Sequence, residues 1–111
     1  MPLLPNYQEA VVSDDKLIHY CLNSEHPVGK NKARVFKAAL GWEQKDYALL
    51  KATIRAALSF SEAEITKEDK HGVHYRVVFA VENEYGKANI LTGWIIESES
   101  DAPRMTTCYI P

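Results

Sequence analysis

Val73-His74-Tyr75-Arg76-Val77-Val78-Phe79-Ala80-Val81 decides the fold. Val73, Tyr75, Val77, Phe79 and Val81 occupy every second position, the two-residue period of a strand with one buried face. Glu82-Asn83-Glu84-Tyr85-Gly86-Lys87 follows as a hairpin loop, with a glycine free for positive φ. Ala88 to Glu97 returns as a second long strand. Ser98 to Pro103 turns again, and Arg104 to Ile110 makes the last strand. Upstream, Ala63 to Thr66 reads as a short edge strand and Lys67-Glu68-Asp69-Lys70-His71-Gly72 as a charged turn.

Before residue 62 the period is helical. From about Glu43 to Phe60, the residues Tyr47, Leu50, Ile54, Ala57 and Leu58 fall on one side, with Lys45, Lys51 and Arg55 away from it. Ser13 is a good N-cap, and Asp14 and Asp15 suit the first turn of a helix through about Leu22. Leu17, Ile18, Cys21 and Leu22 give that helix its apolar stripe. A third helix runs from Asn31 to Leu40, where Gly41 is a natural stop. Helices first and a meander after them predict an α+β fold, with about three N-terminal helices packed on a three- or four-stranded antiparallel sheet. Residues 1–12, with Pro2 and Pro5, read as an irregular arm whose Leu, Tyr and Val side chains could pack on the body.

A chain of 111 residues is expected to make one domain, 1–111, with one core. Its 46% hydrophobic and 25% charged residues are those of a globular protein rather than a disordered one. The net charge of −2 offers no global attraction to nucleic acid, so a polyanion would have to meet a local patch. Cys21 and Cys108 are too few for a disulfide framework or a zinc site and read as small buried residues, which points to a reduced, cytoplasmic setting. No apolar run reaches membrane-spanning length, and no signal-peptide pattern opens the chain, so no membrane partner is expected.

The best patch is Asn23-Ser24-Glu25-His26-Pro27-Val28-Gly29-Lys30-Asn31-Lys32-Ala33-Arg34-Val35-Phe36. Pro27 biases His26 towards an extended backbone, and Gly29 permits the sharp turn that leads into a helix. Lys30, Arg34 and Lys37 share one face by their spacing, while Val35, Phe36, Ala39 and Leu40 form the apolar one. Lys32 precedes Val35 and Phe36 by three and four residues, which places it beside the buried stripe. A cation in the first helical turn opposes the helix dipole at roughly 0.3–1 kcal/mol, and a bound anion would offset that. The plainer alternative is a lysine whose stem lies over apolar neighbours with its ammonium in water.

If the helices cover Tyr75, Val77 and Phe79, the opposite face of that strand carries His74, Arg76 and Val78. On the next strand Thr92 and Trp94 stand on one face, and register alone decides which. Met105, Thr107 and Tyr109 alternate with Arg104, Thr106 and Cys108 on the last strand. A hydroxyl-rich strand ending in an aromatic is compatible with a ligand-binding floor, although Thr and Trp are also ordinary strand residues. His71 and His74 flank a turn without metal-ligand spacing, so no metal is expected. Phosphate-loop, dinucleotide, nucleophile-elbow and zinc-protease motifs are absent.

The run Leu22-Asn23-Ser24-Glu25-His26-Pro27-Val28-Gly29, then Lys32-Ala33-Arg34-Val35-Phe36, resembles a small bacterial family of uncharacterised domains (DUF6883-like). Its pattern is an Asn, then His-Pro-x-Gly, then Lys-Ala and an aromatic. Thr92, Trp94, Asp101-Ala102-Pro103-Arg104 and Thr107-Cys108-Tyr109 agree at the far end, so the likeness spans almost the whole chain. Such domains look like neighbours of polymorphic toxins and toxin–antitoxin loci. Their order of elements is similar to the barnase, EndoU, colicin and RelE (BECR) superfamily of metal-independent ribonuclease toxins, an analogy of topology. Many of those toxins are basic, and this chain is mildly acidic.

The resemblance implies RNA cleavage by attack of a 2′-hydroxyl on the adjacent phosphodiester, with no cofactor. His26 would be the acid or base, and Lys32 would stabilise phosphoryl charge, helped by Lys30, Arg34 or Arg76. Thr92, Thr107 or Tyr109 would orient the phosphate, and Trp94 would stack a base. The partners implied are RNA and a cognate antitoxin or immunity protein. The competing expectation is a non-catalytic antitoxin, immunity or accessory module, in which His26-Pro27-Val28-Gly29 is a structural turn and Lys32 belongs to a protein interface.

Overall fold

In a computed structural model that describes residues 2–111, the two long strands pair as the alternation predicts. β1 (Ala63–Asp69), β2 (Gly72–Asn83), β3 (Gly86–Glu97) and β4 (Arg104–Tyr109) form one antiparallel meander in the order β1-β2-β3-β4. In its register Val77 faces Thr92, Tyr75 faces Trp94 and Phe79 faces Ile90. These six side chains therefore lie on one face of the sheet, and five of them are buried, with Tyr75 half-buried. β1 is longer than expected: the charged run 67–69 is strand rather than turn, because Glu68 and Asp69 pair with Val73 and Gly72. The β2–β3 loop is tighter, leaving only Glu84 and Tyr85 between the paired Asn83 and Gly86.

Three helices cover the inner face, an α+β arrangement. α1 (Asp14–Lys16) is capped by Ser13 and continues into one π-helical turn, Leu17–Cys21. α2 (Lys30–Leu40) ends on Gly41, whose φ of 72° is the left-handed conformation that glycine adopts without penalty. α3 (Tyr47–Leu58) follows a 3₁₀ turn, Gln44–Asp46, held by reciprocal bonds between Glu43 and Asp46. Phe36, Leu40, Leu50, Ile54, Trp94 and Met105 meet in one core cluster. Leu4, Ala10 and Val12 of the arm join them, and Val11 bridges Arg104 at the start of β4. Met1 of the expected arm lies outside the described residues.

Two expectations about faces need correction. Val35 is 40% exposed; the inner stripe of α2 is Ala33, Phe36 and Leu40. Those residues recur at intervals of three and four, which is what a buried helical stripe requires, and Val35 falls outside it. β4 does not alternate throughout, because a register shift opposite Gly93 and Trp94 interrupts its pairing. Such a bulge changes which side chains point inward. Met105 and Cys108 both reach the core, while Thr106 and Thr107 both approach Gly93.

Candidate functional site

His26 is fixed by its own turn. Its Nδ1 accepts the backbone N–H groups of Val28 at 3.0 Å and Gly29 at 2.9 Å, and its carbonyl accepts from Lys30. An imidazole nitrogen that accepts carries no proton, so the ring's N–H is at Nε2. Edge-on contact with Tyr20, at 4.9 Å between ring centroids, holds the other side. Gly29 is required here for room rather than for an unusual turn. Its φ of −84° is helical, but a Cβ would stand 2.8 Å from the Tyr20 carbonyl oxygen.

Lys32 points along the inner edge of α2, as its spacing predicts. Its half-buried side chain carries Nζ to 4.2 Å above the Tyr109 ring on edge strand β4, a cation–π contact. Lys16 approaches from α1, donating to the Thr106 carbonyl at 3.1 Å and lying 5.9 Å from the Tyr20 ring. Both lysines act on the buried Cys21. A hydrogen bond with Cys108 and the nearby charges of Lys16 and Lys32 outweigh burial and bring its thiol below the ordinary range. The same hydrogen bond and burial push the Cys108 thiol up.

Among the described residues, Lys16, Lys30, Lys32 and Arg34 form no salt bridge, whereas Lys37, Lys51, Lys67, Arg76 and Arg104 each do. Lys30 and Arg34 are exposed on the outward side of α2, away from the Lys32–Tyr109 contact. The start of α2 and the adjoining edge of β4 thus combine cations without carboxylate partners, aromatic faces and an imidazole N–H. Such a surface can hold an anion beside a planar group. Nothing in the sequence alone marks Lys16 and Tyr20 as site residues. They stand four apart on a helix, and only the packing of α1 against β4 makes them neighbours of the site.

Thr92 and Trp94 do not join it. Thr92 is 0% and Trp94 1% exposed; the Thr92 hydroxyl donates to the Val77 carbonyl at 2.8 Å and accepts from the Trp94 indole N–H at 2.9 Å. Both side chains are core, so the expected phosphate contact and base stack have no surface on which to form. Arg76 lies on the opposite face of the sheet, paired with Glu64 at 2.9 Å. Thr107, half-buried, packs its methyl towards Gly93. A separate pocket of about 300 Å³, lined by Leu22, Ser24, Ala33, Lys37, Trp42, Glu43, Gln44 and Lys45, contains none of the expected site residues. Among the described residues no three His, Cys, Asp or Glu side chains gather as metal ligands, and no helix is long and apolar enough to cross a membrane.

The chain belongs to the family described as Domain of unknown function (DUF6883), whose model matches residues 3–111. No curated protein and no solved structure matches it.

Proposed function

We propose that this DUF6883 domain is a small toxin-like, metal-independent endoribonuclease of a bacterial toxin–antitoxin or polymorphic toxin system, with a fold of the BECR kind, acting in the cytoplasm. The observation that carries the reading is the Lys32 ammonium over the Tyr109 ring, with Lys16, Tyr20 and His26 beside it and no carboxylate paired to either lysine. An RNA phosphodiester would sit against the two ammonium groups, and a neighbouring base would take the Tyr109 face. The 2′-hydroxyl loses its proton to water as it attacks phosphorus, a 2′,3′-cyclic phosphate forms and the departing 5′-oxygen takes a proton from solvent. The lysines neutralise charge that grows on the non-bridging oxygens. Because Nδ1 of His26 is occupied as an acceptor, its Nε2–H serves as a hydrogen-bond donor to the leaving oxygen, stabilising the charge that grows there, rather than as base.

The test is RNA degradation by the purified chain alongside growth arrest on expression. Lys32→Ala should abolish both without lowering the melting temperature. Intact RNA with the unaltered chain at every concentration tried overturns the proposal.

The bond pattern of His26 favours one other reading. Two backbone N–H groups on Nδ1 make His26-Pro27-Val28-Gly29 a structural turn that leads into α2. On this reading the unpaired cations form a protein interface of an antitoxin, immunity or accessory module. Neutralisation of a toxin by the chain, retained when Nε2–H is removed, is its signature.

A further inference from the structure

The outward face of α3 is largely apolar. Ala48, Leu49, Ala52 and Ala56 of the helix, with Ser59 and Phe60 of the turn that follows it, are exposed on one side, with Leu49 at 53% and Phe60 at 66%. The Thr53 hydroxyl is satisfied by the Leu49 carbonyl and the Ser59 hydroxyl by the Ala56 carbonyl, which leaves carbon facing out. The two flanking cations are engaged by neighbours: Lys51 pairs with Asp14, and the exposed Arg55 donates to the Ala10 carbonyl. A solvated helix face ordinarily carries charged and polar side chains.

The face is also symmetric. Leu49, Thr53, Ala56 and Phe60 follow one another at intervals of four, three and four, in the order large, small, small, large. That order is the same read in either direction. A two-fold dimer needs a surface that complements itself. With two such helices antiparallel, Leu49 meets Phe60 of the partner subunit and Thr53 meets Ala56 of the partner subunit, the small pair allowing close approach. The charges agree: Lys45 precedes the helix, Glu62 follows it, both are exposed, and neither pairs within the described residues. Antiparallel packing brings each Lys45 towards the other subunit's Glu62, whereas parallel packing would put like charges together.

We infer that α3 and the turn after it are a homodimer interface, self-paired antiparallel through Leu49, Thr53, Ala56 and Phe60. A 12-residue helix spans only about 18 Å, so the contact falls short of the roughly 800 Å² per partner of a standard interface. The dimer is therefore weak, with a Kd on the order of 10–100 µM.

Sedimentation equilibrium of the full chain tests this. The unaltered protein should pass from monomer to dimer across that range. Leu49→Glu and Phe60→Glu should each weaken the dimer at least about tenfold while melting as before, since both side chains are on the surface. Lys45→Glu and Glu62→Lys should each weaken it and their combination restore it, a test that holds even if a face variant folds poorly. A protein that stays monomeric to about 1 mM overturns the inference and leaves this face to a different partner. A dimer indifferent to Phe60→Glu overturns it too.

Discussion

The indole N–H of Trp94 donates to the hydroxyl of Thr92 at 2.9 Å, and that hydroxyl donates in turn to the Val77 carbonyl at 2.8 Å. Thr92 thus serves the core by satisfying a buried indole. Thr92→Val keeps the shape but removes the acceptor, leaving the N–H unsatisfied at a cost of about 1–3 kcal/mol. Chemical denaturation should show that loss. A change below about 0.3 kcal/mol would mean that the indole finds another partner.

Phe36 and Val35 make a paired comparison on adjacent positions. Phe36 is fully buried and Val35 is 40% exposed. Phe36→Ala should cost about 3–5 kcal/mol, while Val35→Ala should stay within about 0.5 kcal/mol. Equal losses in urea unfolding would mean that the inner face of α2 is misassigned.

These elements also show what was legible in the sequence. The period-two run in β2 and the period-3.6 run in α3 each report a face directly, so the sheet, the helices and the burial of Phe36 could be read. The β4 bulge could not, because nothing in Arg104 to Tyr109 reveals that two residues oppose Gly93. Thr92 and Trp94 carried side chains fit for a site, and only the Val77–Thr92 register sent them inward. The position of Lys32 at the inner edge of α2 is legible from its spacing to Phe36. Its partner Tyr109 lies 77 residues away and depends on how α2 docks on the sheet edge.

Gly29→Ala tests close packing without backbone strain. The φ of −84° suits alanine, but the new methyl would stand 2.8 Å from the Tyr20 carbonyl oxygen. Overpacking of this kind costs typically about 1–3 kcal/mol. The start of α2 should shift away from Tyr20, loosening the Tyr20–His26 contact. Unchanged stability with unchanged Tyr20 and His26 resonances would refute this.

Acid should act on the β1–β2 turn through Asp69. Burial opposes ionisation there, but the His71 amide at 2.9 Å and the adjacent His74 outweigh it and hold the carboxyl below its usual range. The His74 Nε2 lies 3.3 Å from Asp69 Oδ2. A folded-state pKa below the unfolded value means that the unfolded chain binds the extra proton. The contribution is therefore present at neutral pH and is lost as pH falls below about 4. Asp69→Asn should flatten that part of the stability profile. Acid profiles that overlay would remove Asp69 from the account.

His26→Asn separates the two roles of the His26 imidazole. An asparagine carbonyl oxygen can accept the Val28 and Gly29 N–H groups in an Asx-type turn, and Asn before Pro27 favours turn initiation. The turn would survive and the Nε2–H would be gone. His26→Ala loses both and should cost about 1 kcal/mol, as removal of an intramolecular hydrogen bond does. If the imidazole N–H stabilises the leaving oxygen, His26→Asn should melt like the unaltered chain and cleave RNA about 10²–10³-fold more slowly. If the ring only closes the turn, His26→Asn should match the unaltered chain in every assay while His26→Ala alone loses stability. A melting curve and an RNA time course on the same two variants therefore decide between the two roles.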